Sequence, residues 1–307
     1  MRVALGNTDL QVHPLCLGGN VFGWSANAGQ SHDVLTAYEA SGGNFIDTAD
    51  MYSEWHTGNV GGESETIIGD WMRARGNRSE MVIATKVAKL SSRPGLSALN
   101  IAAAAEDSLR RLGTDYIDIY YAHHDDESTP LEESLTAFND LVAAGKVRYL
   151  AASNYKAARL QEALQISREL GMAEYLLLQP NYNAIFRSEY EGELMATAVK
   201  EEIPVLPYFS LAAGFLTGKY RPGVTVESVR ADDMPEYMNE RGWAIINALT
   251  EISEQEDTSV AAVALGWLRA QPGVATPIAS ARTPEQLAQI LPVIELSAEQ
   301  IANVNAL

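Results

Sequence analysis

From residue 15 onward the chain alternates short apolar runs with longer amphipathic stretches, and glycine closes most of the latter. The apolar runs lie at 15–19, 45–46, 82–85, 116–122, 147–152, 175–178, 205–206 and 274–278. Between them, 31–40, 63–75, 97–112, 131–144 and 156–170 read as helices, followed by Gly42, Gly76, Gly113, Gly145 and Gly171. Their apolar residues recur at helical spacing: Ile67, Ile68, Trp71 and Met72 share one face, and Ile101, Ala105, Leu109 and Leu112 another. Stretches 189–201, 260–270, 284–291 and 298–305 read as the remaining helices. Strands separated by helices must run parallel, with right-handed crossovers. Residues 2–13 read as a β-hairpin around Gly6-Asn7. The expected fold is therefore a single α/β domain over residues 1–307, a (β/α)₈ TIM barrel with an N-terminal hairpin and extra C-terminal helices. An open doubly wound sheet is the competitor, but no Gly-x-Gly-x-x-Gly follows the first strand.

The apolar runs end in ionisable residues. Asp47 follows Phe45-Ile46, with Tyr52 five positions on; Lys86 follows IAT, and His123 follows YIDIYYA. Taken singly, Asp47 can cap a turn and Tyr52 can be a rim aromatic, whereas a lysine after IAT would be partly buried and needs a partner or a purpose. Gathered at one end of a parallel sheet, they form a pocket. A tyrosine hydroxyl ionises near pH ~10 and exchanges protons poorly at neutrality. Lowering that by about 3 units takes roughly 4 kcal/mol. A lysine ammonium about 4 Å away supplies about that much at an effective dielectric near 20. Asp47 would hold the lysine charged, and His123 could orient a carbonyl oxygen. Tyr52 is the expected general acid of a carbonyl reduction, tuned by Lys86 and Asp47.

These strings resemble the aldo-keto reductases over nearly the whole chain: FIDTADMY, IATK, the histidine after DIYYA, AASN at 151–154, QPNYN at 179–183, PYFSLAAGFLTGKY at 207–220 and SARTPEQL at 280–287. The resemblance implies NAD(P)H-dependent reduction of an aldehyde or ketone, with Asp47, Tyr52, Lys86 and His123 as the catalytic set. It implies that Ser153, Asn154 and Gln179 hold the nicotinamide carboxamide and that Tyr208 stacks on the ring, with Gly19 and Asn20 also near the cofactor. Phe209, Ser210, Leu211, Gly214 and Lys219 would lie along the pyrophosphate. The family's common Tyr-Ser-Pro-Leu is here Tyr208-Phe209-Ser210-Leu211, so either Ser210 substitutes after a one-residue shift or backbone amides suffice. Ser280, Arg282 and Gln286 would surround the adenosine 2′-phosphate, at a helix start that suits an anion. Some members carry lysine and asparagine where this chain has Ser280 and Ile290. Arg282 and the helix start point to NADP(H), and the absence of that lysine and asparagine leaves NAD(H) possible.

Trp24, Trp55, His56 and the loop 221–242 are the expected substrate contacts, and the aromatics suit an apolar or aromatic carbonyl. Asp232, Asp233, Glu236 and Glu240 in that loop argue against a strongly anionic substrate. The formal net charge of −18 argues against nucleic acid and anionic membranes as partners. Cys16 is the single cysteine, so no intramolecular disulfide can form. No signal-peptide pattern or ~20-residue apolar run is present, which suits a soluble cytoplasmic setting. Four adjacent residues, 123–126, cannot converge on one ion, so no metal is expected. The sequence leaves oligomeric state open. The alternative function is a nucleotide-sensing, non-enzymatic regulatory subunit on the same fold.

Overall fold

A hairpin of β1 (Val3–Ala4) and β2 (Gln11–Val12) precedes one parallel sheet. That sheet contains β3 (Cys16–Gly18), β4 (Phe45–Asp47), β5 (Val82–Val87), β6 (Ile117–Ala122), β7 (Val147–Ser153), β8 (Tyr175–Gln179) and β9 (Ile278–Ala279). In the computed structural model, which describes residues 1–224 and 226–307 (Asp233 by its backbone alone), the order is β8-β7-β6-β5-β4-β3-β9. All neighbours are parallel, and the sheet curls. The helices are α1 (Ala28–Ala40), α2 (Glu63–Arg75), α3 (Ala98–Leu112), α4 (Leu131–Ala143), α5 (Ala157–Leu170), α6 (Glu193–Lys200), α7 (Glu240–Gln255), α8 (Val260–Arg269), α9 (Pro284–Ile290) and α10 (Ala298–Asn305).

Side-chain alternation along each strand makes two cores. Cys16, Phe45, Val82, Ala84, Ile119, Tyr121 and Leu177 pack inside the curl, where Leu5, Leu10 and Val12 of the hairpin join them. Ile46, Ile83, Tyr120 and Leu150 point the other way, into the layer against the helices. Left-handed glycines stop α2, α3 and α5 at Gly76, Gly113 and Gly171 (φ 66°, 66° and 65°).

Four details differ from the sequence reading. Residues 205–206, expected as a strand, make only isolated bridges: Val205 to Leu178 and to Val274, and Tyr208 to Asn181. Pro204 and Pro207 flank them, and a residue without an N–H cannot extend a ladder. Pro277 similarly confines the last strand to β9. The first helix begins at Ala28 under an Asn27–Gln30 capping box, because the Ser31 hydroxyl instead donates back to the Asn27 carbonyl (2.8 Å). Helix α7 is unplaced in the sequence reading; it buries Ile245, Ile246, Leu249 and Ile252 and is capped by Asn239.

Candidate active site

Register brings the ionisable residues to one end of the sheet. Asp47 is opposite Gly18 and Ala84, Lys86 is opposite Tyr121, and Ser153 is opposite Gln179. Val82 and Ala84 face the interior of the curl, so two-residue periodicity carries Lys86 inward as well. Its ammonium is fully buried and donates to Asp47 Oδ2 (2.6 Å), the Thr48 carbonyl (2.7 Å) and Tyr52 Oη (3.0 Å). Tyr52 Oη donates in turn to Asp47 Oδ2 (3.3 Å). Gln179 Nε2 holds the other Asp47 oxygen at 3.0 Å. A buried ammonium needs such a set: removing one member of a buried pair costs about 3–5 kcal/mol.

Burial pushes the Lys86 ammonium down, and Asp47 opposes that push. Burial pushes the Tyr52 hydroxyl well above the ordinary phenol value, and the Asp47 carboxylate adds to the effect. This reverses the direction expected from the sequence. The lysine lies close enough to lower the tyrosine, but its charge is engaged by Asp47, and the low-dielectric setting penalises tyrosinate. Tyr52 is thereby held as a protonated donor. His123 is buried, its Nδ1 has no partner among the described residues, and its ring packs edge-on to Tyr52 (centroids 6.0 Å apart). Burial pushes the imidazole well down, with Lys86 and then Lys89 adding to it, so the ring is neutral at physiological pH.

A cavity of about 660 Å³ opens beside these groups. Asp47, Tyr52 and His123 line it together with Asn20, Ser153, Asn154, Gln179, Tyr208, Phe209, Ser210, Leu211, Gly214, Lys219, Ser280, Arg282 and Gln286. Gly19 is packed behind that wall, where a Cβ would meet Ser64 Oγ at 2.7 Å. Asn154 takes a left-handed turn (φ 57°). Its amide donates to the His123 carbonyl (2.8 Å) and to Ser153 Oγ (3.0 Å), and it accepts from Tyr208 Oη (2.7 Å). Ser210 Oγ is buried on the Pro207 carbonyl (2.9 Å). Left-handed residues Phe209, Ala212, Ala213 and Gly214 (φ 51°, 47°, 53° and 101°) instead curve the backbone there, the shape in which successive amides can cradle an anion. Arg282 starts the turn into α9, its backbone N–H bonded to Gln286 Oε1 (3.0 Å).

Trp55 lines the same cavity, and Trp24 packs edge-on against it (5.6 Å), outside the lining. His56 is exposed and also lies outside it. The 221–242 loop contributes Ser228, Val229 and Arg230, with Arg230 over the rings of Trp24 (5.5 Å) and Phe209 (5.8 Å). Its acids Asp232, Glu236 and Glu240 are exposed and do not line the cavity. The side chain of Asp233 lies outside the described residues. His124, Asp125 and Asp126 face separate partners: Asp125 pairs with Arg159 (3.0 Å), and Asp126 accepts from the Leu96 N–H (2.7 Å). Sequence reasoning missed Met51, Lys89, Thr217 and Gln289 in the wall.

The aldo/keto reductase family model matches residues 14–307. An uncharacterized oxidoreductase of Bacillus subtilis, YrpG, is 32% identical over 96% of this chain and 91% of its own length. The norsolorinic acid reductase stcV of Emericella nidulans is 31% identical over 99% and 80%. A probable voltage-gated potassium channel subunit beta of Oryza sativa subsp. japonica is 29% identical over 95% and 90%. The match spans the sheet, the helices and the whole of the cavity wall, and on that extent the chain belongs to the aldo/keto reductase family.

Proposed function

We propose that this chain reduces an aldehyde or ketone to an alcohol with NADPH, NADH serving less well. The observation that carries the proposal is the Lys86–Tyr52–Asp47 contact, at 3.0 and 3.3 Å, opening with His123 onto one cavity. We also infer an eight-staved (β/α)₈ barrel forming one domain, with 205–208 as its seventh stave in chain order, from its bridges to both neighbours. Small carbonyl compounds are the proposed partners, in the cytoplasm.

The cavity suits a dinucleotide. Lys219 and Arg282 line it without a carboxylate partner among the described residues, although the chain has 40 acidic against 22 basic side chains. Bound there, the cofactor supplies hydride. Arg282 and the start of α9 would hold its 2′-phosphate, the amides of the 209–214 turn its pyrophosphate, and Ser153, Asn154 and Gln179 its carboxamide. Neutral His123 would hold the substrate oxygen beside Tyr52 Oη. Tyr52 gives that oxygen its proton, and Lys86 donates to the phenolate left behind, which offsets the low-dielectric penalty at that step alone.

The test is steady-state oxidation of NADPH, and separately NADH, against aromatic and aliphatic carbonyls with wild type and Tyr52→Phe. Turnover should fall by about 10²–10⁴-fold in the variant, the usual worth of a general acid. Undiminished turnover would remove Tyr52 from the chemistry. Tight NADPH binding with no turnover on any carbonyl would move the reading to a nucleotide-sensing regulatory subunit, a role in keeping with the rice relative's name.

A further inference from the structure

Lys89 is a cation in the cavity wall with no carboxylate partner among the described residues. Among the described residues its side chain makes no hydrogen bond, ion pair or ring contact. Acids are not scarce in this chain, but three near its loop are committed, and Asp50, though unpartnered, is buried and pushed up towards its neutral form. Glu54 accepts from the Ser91 N–H (3.1 Å), Asp125 pairs with Arg159, and Asp126 accepts from Leu96, Ser128 and Thr129. Lys219 and Arg282 line the part of the wall proposed for the cofactor, whereas Lys89 lies near enough to His123 to push its imidazole down. The His123 N–H bonds to the Val87 carbonyl (2.9 Å), two residues before Lys89.

The backbone is bent to put it there. Ala88 has φ 115°, a conformation disfavoured for any residue with a Cβ, and the Gly95 N–H holds the Ala88 carbonyl at 2.8 Å. Without that turn the chain would continue along β5 and residue 89 would take the next position of the strand. Burial and then Lys86 push the Lys89 ammonium down, as desolvation in the cavity wall requires. A partly desolvated, unpaired ammonium beside a catalytic pocket is uncompensated until an anion arrives.

We propose that Lys89 sets substrate specificity by pairing with an anionic group, carboxylate or phosphate, on the carbonyl compound. That the anion is a substrate rests on the reductase reading; the anion pairing does not. Trp55 in the same wall suits a flat body between the carbonyl and the anion, as in an aromatic aldehyde bearing a carboxylate. The net charge of −18 does not oppose this, because exposed acids beyond about 8–10 Å are screened by salt while a charge in the cavity wall is not.

The experiment is calorimetric titration of two matched pairs into the NADP⁺-loaded protein, where no reduction can occur. One pair is 4-carboxybenzaldehyde and its neutral methyl ester, methyl 4-formylbenzoate; the other is glyceraldehyde 3-phosphate and glyceraldehyde. Wild type should bind at least one anionic member at least about tenfold tighter than its neutral partner, the scale of a hydrogen bond to a charged group. That ratio should collapse towards one in Lys89→Met and persist in Lys89→Arg. The responding pair tells carboxylate from phosphate. A ratio near one in wild type for both pairs, or one unchanged by Lys89→Met, overturns the inference. Lys89-dependent selectivity in protein that oxidises no NADPH would keep the inference and sink the reductase reading.

Discussion

Asp50 is the residue whose surroundings most oppose its charge. It is buried between Asp47 and Tyr52 in sequence, and neither carboxylate oxygen has a partner among the described residues. Burial, and then the Glu65 carboxylate, push it up to about 8 from an ordinary value of 3.8, while Arg111 and Arg93 pull the other way. The raised value means that the folded state binds more protons than the unfolded one across that interval. The Asp50 contribution to stability therefore falls as pH rises from about 4 to about 8, by up to about 1.4 kcal/mol per pH unit, against the opposite contribution of the lowered His13 and His123. Asp50→Asn, neutral throughout, should flatten that slope in urea denaturation at pH 5, 6.5 and 8. Parallel slopes in wild type and variant would mean that Asp50 is ionised in the fold. Tyr52 and His123 obey the same low-dielectric logic, which keeps one protonated and the other neutral.

At the scale of elements, the close approach of α2 to the end of α3 locks the layer behind the site. Gly69 is buried in α2, and a Cβ there would lie 2.3 Å from the Arg111 carbonyl oxygen and 2.8 Å from Leu112 Cα. The contact keeps Arg111 Nε on the buried Glu65 carboxylate (2.6 Å), whose other oxygen accepts from Thr85 of β5 (2.5 Å). Helix propensity alone would make Gly69→Ala stabilising by about 1 kcal/mol. Backbone overlap of this kind costs about 1–3 kcal/mol, and the backbone cannot yield as a side-chain tip does. Gly69→Ala should thus lower the thermal midpoint by a few degrees. A higher midpoint would show that the two helices can separate freely.

For the whole molecule, the excess of acids over bases sets the response to salt. With 40 acidic and 22 basic side chains, the folded state carries a self-repulsion that ions screen. The exposed ion pairs, such as Arg73–Asp70 and Lys146–Glu106, are worth little each and lose little to screening. Raising sodium chloride from 10 to 200 mM is expected to raise the thermal midpoint (~30 Å of screening length shrinks to under ~10 Å). A fall would mean that attraction within the ion pairs outweighs the net repulsion.

Much of this was legible in the sequence. Alternating runs with glycine stops dictated parallel strands, and the places where those runs ended dictated Asp47, Lys86 and His123, because a strand's direction puts all its last residues at one end. The sequence did not show the direction of the Tyr52 shift, since that depends on how completely the pocket excludes water. Nor did it show Lys89 in the cavity wall, which follows from one left-handed residue, Ala88, that no side chain announces. The prolines at 204 and 207 were visible, but their cost to the strand expected at 205–206 appeared only when partners on both sides were in place. Local patterns determined the elements and the reactive groups, because periodicity and capping act over a few residues. Burial, backbone turns and the direction each charge faces were decided by tertiary structure, because they depend on contacts distant in the chain.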